Sequence, residues 1–338
     1  MKGIVIFSSL AIGLILGFWP AISKPKPLLW KLIVILLITT GALITLLPPL
    51  GAGPSYAMAL REQGFRNEMP VIGTLESKGN DSYTISQLGK SAVTLEINGI
   101  IDGNPEKGDV LIANLLPGDE GFSHNEVVSV NPFLHFSYIP SLDERIKIMN
   151  FHVPMAWVSV LAYMVAMVFS LMYLRKRDFR YDLYASSSAA LGLIFTILAT
   201  VTGMLWAKFN WGSFWNWDPR QTSIFVLMLI YAAYFALRSA IDKEDLKAKL
   251  SSVYAIIAFV TVPFFVFILP RITEGLHPGS ADSGSAGPLV SSKPGMLDSG
   301  LLYGFGMTMA GFTLLYFWLM NLHIRMKSAV YEIMSKRS

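Results

Sequence analysis

Two of the five histidines in this 338-residue chain stand beside the ends of long apolar runs. His152 opens one run in Phe151-His152-Val153-Pro154-Met155-Ala156-Trp157. His277 comes after another in Glu274-Gly275-Leu276-His277-Pro278-Gly279. Imidazole is the commonest metal ligand and the usual axial ligand of haem iron. Two imidazoles on separate elements, facing one water–membrane boundary, can clamp an iron from both faces. Each alone also reads as a helix cap or a polar anchor. The chain has no cysteine, which excludes disulfides, thiol exchange, Cys-ligated zinc, iron–sulfur clusters and porphyrin attachment through Cys-x-x-Cys-His. Any redox centre is therefore held by other ligands.

Between the two histidines lies a loop of unusual composition. Four of the 8 tryptophans, Trp206, Trp211, Trp215 and Trp217, fall within Gly203–Arg220, together with Gly212, Asp218 and Arg220. An interfacial aromatic belt also enriches Trp at headgroup depth, but a belt spreads its rings over many helix ends. The crowding here suits a flat aromatic ligand bearing carboxylates. Indole faces pack on the ring, and an arginine fork binds a carboxylate through two parallel bonds. Asp218-Pro219 fits a helix start, with Asp218 capping it or orienting Arg220.

The elements that must position these residues are membrane helices. Hydrophobic residues make up 53% and charged residues 15%, against about 25% charged in soluble domains. A conventional cytosolic enzyme is thereby excluded. The excess of 27 Lys and Arg over 23 Asp and Glu is too slight to point to nucleic acid. A crossing helix needs about 20 mainly apolar residues, and seven runs qualify: 4–22, 29–50, 153–174, 183–207, 223–241, 251–269 and 301–322. No small-x-small cleavage site comes after the first, so it reads as a retained span. Lys and Arg cluster in alternate loops: Lys24, Lys26 and Lys31; Arg175, Lys176, Arg177 and Arg180; Arg238, Lys243, Lys247 and Lys249; Arg325, Lys327, Lys336 and Arg337. By the positive-inside rule these mark the cytoplasmic side. The segments 51–151, 208–222 and 270–300 then face outward, with His277 inside the last and His152 at the edge of the first.

The fold class expected is a polytopic α-helical membrane protein carrying an inserted all-β domain. Residues 1–50 form two spans, 51–141 the insert and 142–338 the main membrane domain. Within the insert, runs at 71–77, 82–88, 92–98, 109–115 and 125–130 are rich in Val, Ile and Thr and are separated by turn formers. Five short strands at this spacing suggest an OB-like barrel. Its histidines, His124 and His135, have no carboxylate constellation around them.

At the tryptophan loop the chain resembles a known superfamily. Trp211-Gly212-Ser213-Phe214-Trp215-Asn216-Trp217-Asp218-Pro219-Arg220 is similar to the "WWD" signature of the haem-handling membrane proteins of cytochrome c biogenesis. His152-Val153-Pro154-Met155-Ala156-Trp157 resembles the His-Val-Pro-x-Ala-Trp segment of the CcmC family within it. The resemblance covers 29–50 and everything from about residue 145 onward. It implies that His152 and His277 are axial ligands of a non-covalent haem b iron at the extracytoplasmic face of a bacterial or archaeal cytoplasmic membrane. The tryptophans would lie beside the ring and Arg220 would meet a propionate. The family places an arginine shortly before the first histidine, where this chain has Lys147, which supplies charge without a planar fork. The insert bears a weaker resemblance to the OB domain of the chaperone CcmE. It has Asn131 where CcmE carries its haem-linking histidine, with His135 and Tyr138 coming later, so covalent haem binding is not carried over.

The implied function is to hold haem and hand it to a CcmE-like chaperone, with CcmA/CcmB-like ABC components as further partners and lipid around the helices. The chain has no Gly-x-x-x-x-Gly-Lys-[Ser/Thr] motif of its own, and no catalytic residue is assigned: it reads as a carrier more than a catalyst. Two alternatives stand beside this. A haem lyase like CcsA or CcmF shares the WWD signature but usually has further outward histidines. A haem-free scaffold would use the β domain to recruit assembly factors.

Overall fold

A computed structural model of the chain describes residues 2–46, 69–79, 82–87, 92–96, 105–118, 121–130, 147–277, 280–281 and 299–335. The helices are α1 (Lys2–Phe18), α2 (Leu28–Leu46), α3 (Met149–Lys176), α4 (Phe179–Trp211), α5 (Pro219–Ser239) and α6 (Glu244–Pro263). The last runs through a π-helical turn (Phe264–Ile268) into the short α7 (Leu269–Ile272), and α8 (Ser299–Ser335) completes the series. Among the described residues six helical runs are long and apolar enough to cross a membrane: Leu28–Leu46, Met149–Lys176, Phe179–Trp211, Pro219–Ser239, Glu244–Ile272 and Leu302–Val330. The chain is a multi-pass α-helical membrane protein.

The first expected span, 4–22, needs correction. Its apolar helix covers only Ile4–Phe18 and is shorter than the other six. Pro20 disfavours helical geometry at the residue before it, and the chain turns back there. Lys26, expected as a simple charge signal, is buried in that turn. Its Nζ donates to the carbonyls of Gly17, Trp19 and Pro20 at 2.8, 3.2 and 2.9 Å, and burial lowers its pKa to about 8. Asn321 of α8 holds the same turn by donating to Ile22 and Lys24 carbonyls.

Helix α8 is the buried axis of the bundle. Helices α1 and α2 lie along it, and Gly17 allows the closest approach, since a Cβ there would collide with the Phe317 ring. On its other side Tyr316 and Phe317 pack with Val158, Leu161, Leu191 and Phe195 of α3 and α4. Short reversals then fix which helix ends lie together. Asp178 caps α4 by accepting from the Arg180 amide at 2.9 Å, Gly212 closes it with φ 78°, and Asp218 caps α5 with Pro219 in its first turn. The start of α3, the end of α4, the start of α5 and the end of the α6–α7 run therefore gather at one end of the bundle. Asn150 Nδ2, donating to Thr45 Oγ1 at 2.8 Å, ties the end of α2 to them.

Residues 69–130 contain five strands, β1 (Met69–Lys78), β2 (Ser82–Gln87), β3 (Ala92–Glu96), β4 (Val110–Gly118) and β5 (Gly121–Val130). They form one sheet in the order β3-β2-β1-β4-β5, with every neighbouring pair antiparallel. The two outermost strands of that order, β3 and β5, also approach one another.

Candidate functional site

The gathered helix ends bring His152, His277, Trp211, Asp218 and Arg220 into one neighbourhood. His152 sits in the first turn of α3, against α4. Its Nδ1 lies 2.9 Å from the carbonyl oxygen of Ala199 and 3.1 Å from Thr202 Oγ1. A carbonyl oxygen only accepts, so Nδ1 carries the proton and the lone pair of the neutral ring is on Nε2. Thr202 Oγ1 spends its own hydrogen on backbone carbonyls of its helix, which leaves it an acceptor as well. Gly203 makes room for the ring, since a Cβ there would stand 3.0 Å from His152 Cε1.

His277 is held differently but to the same effect. Its Nδ1 lies 3.0 Å from Asp218 Oδ1. Asp218 is almost fully buried, and burial alone would raise its pKa. Hydrogen bonds from His277 and from the Arg220 and Leu276 amides, together with the charge His277 carries when protonated, outweigh that and hold it at about 2. The carboxylate is thus ionised at neutral pH and can only accept. His277 therefore donates from Nδ1, and in the neutral form, the one that can ligate a metal, its lone pair is on Nε2. Among the described residues neither Nε2 has a hydrogen-bond partner. Oxygen acceptors on one ring nitrogen, leaving the other free, are the usual support of a metal-ligating histidine.

The loop that carries Asp218 is braced from within. Gln221, buried in the first turn of α5, accepts from the Asn216 amide at 2.8 Å and donates to the Phe214 carbonyl at 3.2 Å. Leu276 N donates to Asp218 Oδ2 at 2.7 Å, and both the amide and hydroxyl of Ser280 donate to the His277 carbonyl. One carboxylate thus caps α5, locks the loop after α7 and aims an imidazole. The pairing of Asp218 with the Arg220 side chain, one of the two roles expected for it, is not the one found: Asp218 meets Arg220 through the backbone amide at 2.9 Å. Among the described residues the buried Arg220 Nε has no hydrogen-bond partner.

The four loop tryptophans separate into distinct roles. Trp211 stands edge-on to the His277 ring, with centroids 4.7 Å apart. Trp215 packs edge-on against Trp217 and Phe225. Trp217 has φ 55° and is 70% exposed; a bulky residue in the left-handed region is a strained one, and such strain concentrates at functional sites. Trp206 lies one turn deeper in α4 and joins Trp157, Val153, Met149, Phe305 and Met309, which is packing between helices. Lys147 lies half-buried just before α3, at the same end. His124 falls in β5, and His135 lies outside the described residues. Reasoning from residue types does not find Ala199, Thr202 or Gln221, because a backbone carbonyl and two ordinary polar residues carry no motif.

A family model described as CcmC, heme exporter protein C, matches residues 138–338. The protein called heme exporter protein C of Paracoccus denitrificans is 32% identical over 180 residues, covering 53% of this chain and 72% of its own. Its namesake in Rhodobacter capsulatus is 34% identical over 135 residues, 40% of this chain and 56% of its own. That of Escherichia coli K12 is 32% identical over 134 residues, 40% and 54%. The region of the family model contains the α3 histidine, the tryptophan loop and the helices that carry them, and the chain belongs to the CcmC family.

Proposed function

We propose that this protein carries haem for cytochrome c biogenesis, holding one non-covalent haem b between His152 and His277 and presenting it to an acceptor. The observation that carries this reading is the shared state of the two imidazoles. Each gives its Nδ1 hydrogen to an oxygen, so each has an Nε2 lone pair to offer one iron. Bound haem supplies that iron and two propionates. Arg220, whose Nε is otherwise unused, takes a propionate, and Trp211 flanks the ring beside His277.

The positive-inside rule puts this end of the bundle outside. The cations Arg175, Lys176, Arg177, Lys243, Lys247 and Lys249 flank the opposite helix ends. The relatives' name, heme exporter protein C, fits a protein that works across that boundary. We read 51–141 as an extracytoplasmic OB-like domain. Its strand order, with β3 returning towards β5, supports this. A CcmE-like chaperone is the acceptor, and CcmA/CcmB-like ABC components supply the energy of release.

The test is an absorption and magnetic spectrum of the protein purified in mild detergent with haem. A low-spin, bis-histidine signature is expected. His152→Ala and His277→Ala should each abolish that signature and lower haem retention by about a hundredfold or more, on the order of the loss expected when a ligand and its supporting bond go together. Equal retention in both variants and the wild type sinks the ligand assignment. Covalent cytochrome made on co-expression with apocytochrome and no chaperone would favour a synthase instead.

A further inference from the structure

Arg271 lies in α7, which packs on α5, and its charge acts on the guanidinium of Arg220. Two like charges have thus been brought together at the end of the bundle opposite the basic clusters, where the positive-inside rule gives no reason for them. The charge of Asp218 acts on Arg220 more strongly than that of Arg271 does, but its oxygens are spent elsewhere. Asp218 Oδ1 is taken by His277 and the Arg220 amide, and Oδ2 by the Leu276 amide. Among the described residues no carboxylate forms an ion pair with either guanidinium. Arg271 is exposed, and Arg220 keeps a buried Nε without a partner. A doubly anionic ligand between the two arms would give each guanidinium the ion pair it lacks among the described residues.

The backbone shows how Arg271 reaches this position. The Leu269 amide bonds to the Phe264 carbonyl five residues back. A π-turn of this kind inserts one residue into the helix and rotates the residues beyond it by about 100°. The register of Arg271, and of the loop leading to His277, depends on that single inserted residue.

We propose that Arg271 is the second arm of a two-carboxylate clamp, taking one propionate of a porphyrin while Arg220 takes the other. This rests on the haem reading above and deepens it: the site selects dicarboxylate porphyrins. The two arginines alone make that selection among these groups, since ring stacking and iron ligation are indifferent to the propionates.

The test compares haem with haem dimethyl ester, whose iron and ring are the same and whose carboxylates are masked. Both are titrated by Soret absorption into the full chain in detergent, as wild type, Arg271→Gln and Arg271→Lys. Arg271→Gln should weaken haem binding about tenfold, the scale of one charge-assisted pair, and leave the diester unchanged. Arg271→Lys should fall between, because charge persists without the fork. Unchanged haem affinity in Arg271→Gln overturns the clamp. So does an equal loss for haem and diester, which would make Arg271 a structural residue. A wild-type chain that takes up neither porphyrin overturns the haem reading itself.

Discussion

Helix α5 has an arginine at each end, and the two are treated in opposite ways. Arg238 meets Asp182 through both of its terminal nitrogens, Nη1 to Oδ1 at 2.7 Å and Nη2 to Oδ2 at 2.9 Å. Arg220 has an aspartate two residues away, yet that carboxylate serves a histidine and two backbone amides instead. The pattern extends around both. At the Arg238 end, Asp245 accepts from the Tyr173 hydroxyl, Asp178 holds Arg180 and Glu244 holds Lys247. At the Arg220 end the buried guanidinium Nε has no partner among the described residues, and the hydrogen bonds of the two imidazoles run through Nδ1. Polar groups withdrawn from water are expensive unless paired. An end whose arginine is paired internally is held together by that pair, whereas an end that leaves strong donors and ligands over is suited to receive a guest.

Removing Arg238 should therefore cost stability and spare binding. Arg238→Met leaves the Asp182 carboxylate without its partner in a nearly enclosed place, a loss of about 3 kcal/mol. Thermal unfolding in detergent should fall by several degrees while haem affinity per folded molecule stays at the wild-type value. A variant with wild-type melting, or one that folds normally but has lost haem, would erase the distinction between the two ends.

Asp218→Asn gives the intermediate effect. Asparagine caps a helix as well as aspartate does and can still accept from His277 Nδ1, so the fold persists. What goes is the negative charge and, because an NH2 stands where Oδ2 was, the bond from the Leu276 amide; loss of such a supporting carboxylate costs about tenfold or more in metal-site affinity. The same group sets a pH dependence. Its pKa is about 2 in the folded protein against an ordinary 3.8, so its contribution to stability is complete above 3.8 and disappears as the pH falls through about 2. The melting difference between wild type and Asp218→Asn, measured without haem, should be constant above that range and shrink towards zero below it. A difference that persists at low pH would mean that the charge of Asp218 does nothing for the loop.

What could be read from residues alone divides along a similar line. The helices announce themselves, because a run of about 20 apolar residues has few fates, and the position of Pro20 explains why the first ends early. His152, His277 and the tryptophan crowd stand out as rare side chains in unusual density. Their partners do not. A backbone carbonyl like that of Ala199 exists at every residue, and this one matters only because Gly203 lets an imidazole lie against the helix. Trp206 looks like its neighbours in the sequence, but α4 continues to Trp211 and turns it into the packing between α3, α4 and α8. The π-turn at Phe264–Ile268 lies between Pro263 and Pro270. The two prolines advertise an irregularity, yet neither says that one residue is inserted, nor that Arg271 is carried round by it.

The smallest effect asks whether all pairs at the Arg238 end count alike. Lys247 and Glu244 form an i,i+3 pair at 2.7 Å, with the Glu244 side chain 70% exposed. Water screens such a pair, and ordering two long side chains offsets most of the attraction. Lys247→Ala should therefore change stability by only about 0.3 kcal/mol, a shift in melting close to nothing. Arg238 sits at the other extreme, with 16% of its side chain exposed over an Asp182 that is 11% exposed. If Lys247→Ala destabilised the protein as much as Arg238→Met, enclosure would not be what separates structural charges from idle ones. The contrast between the two ends of α5 would then reduce to charge number, and the unpartnered nitrogens around Arg220 would no longer point to a guest.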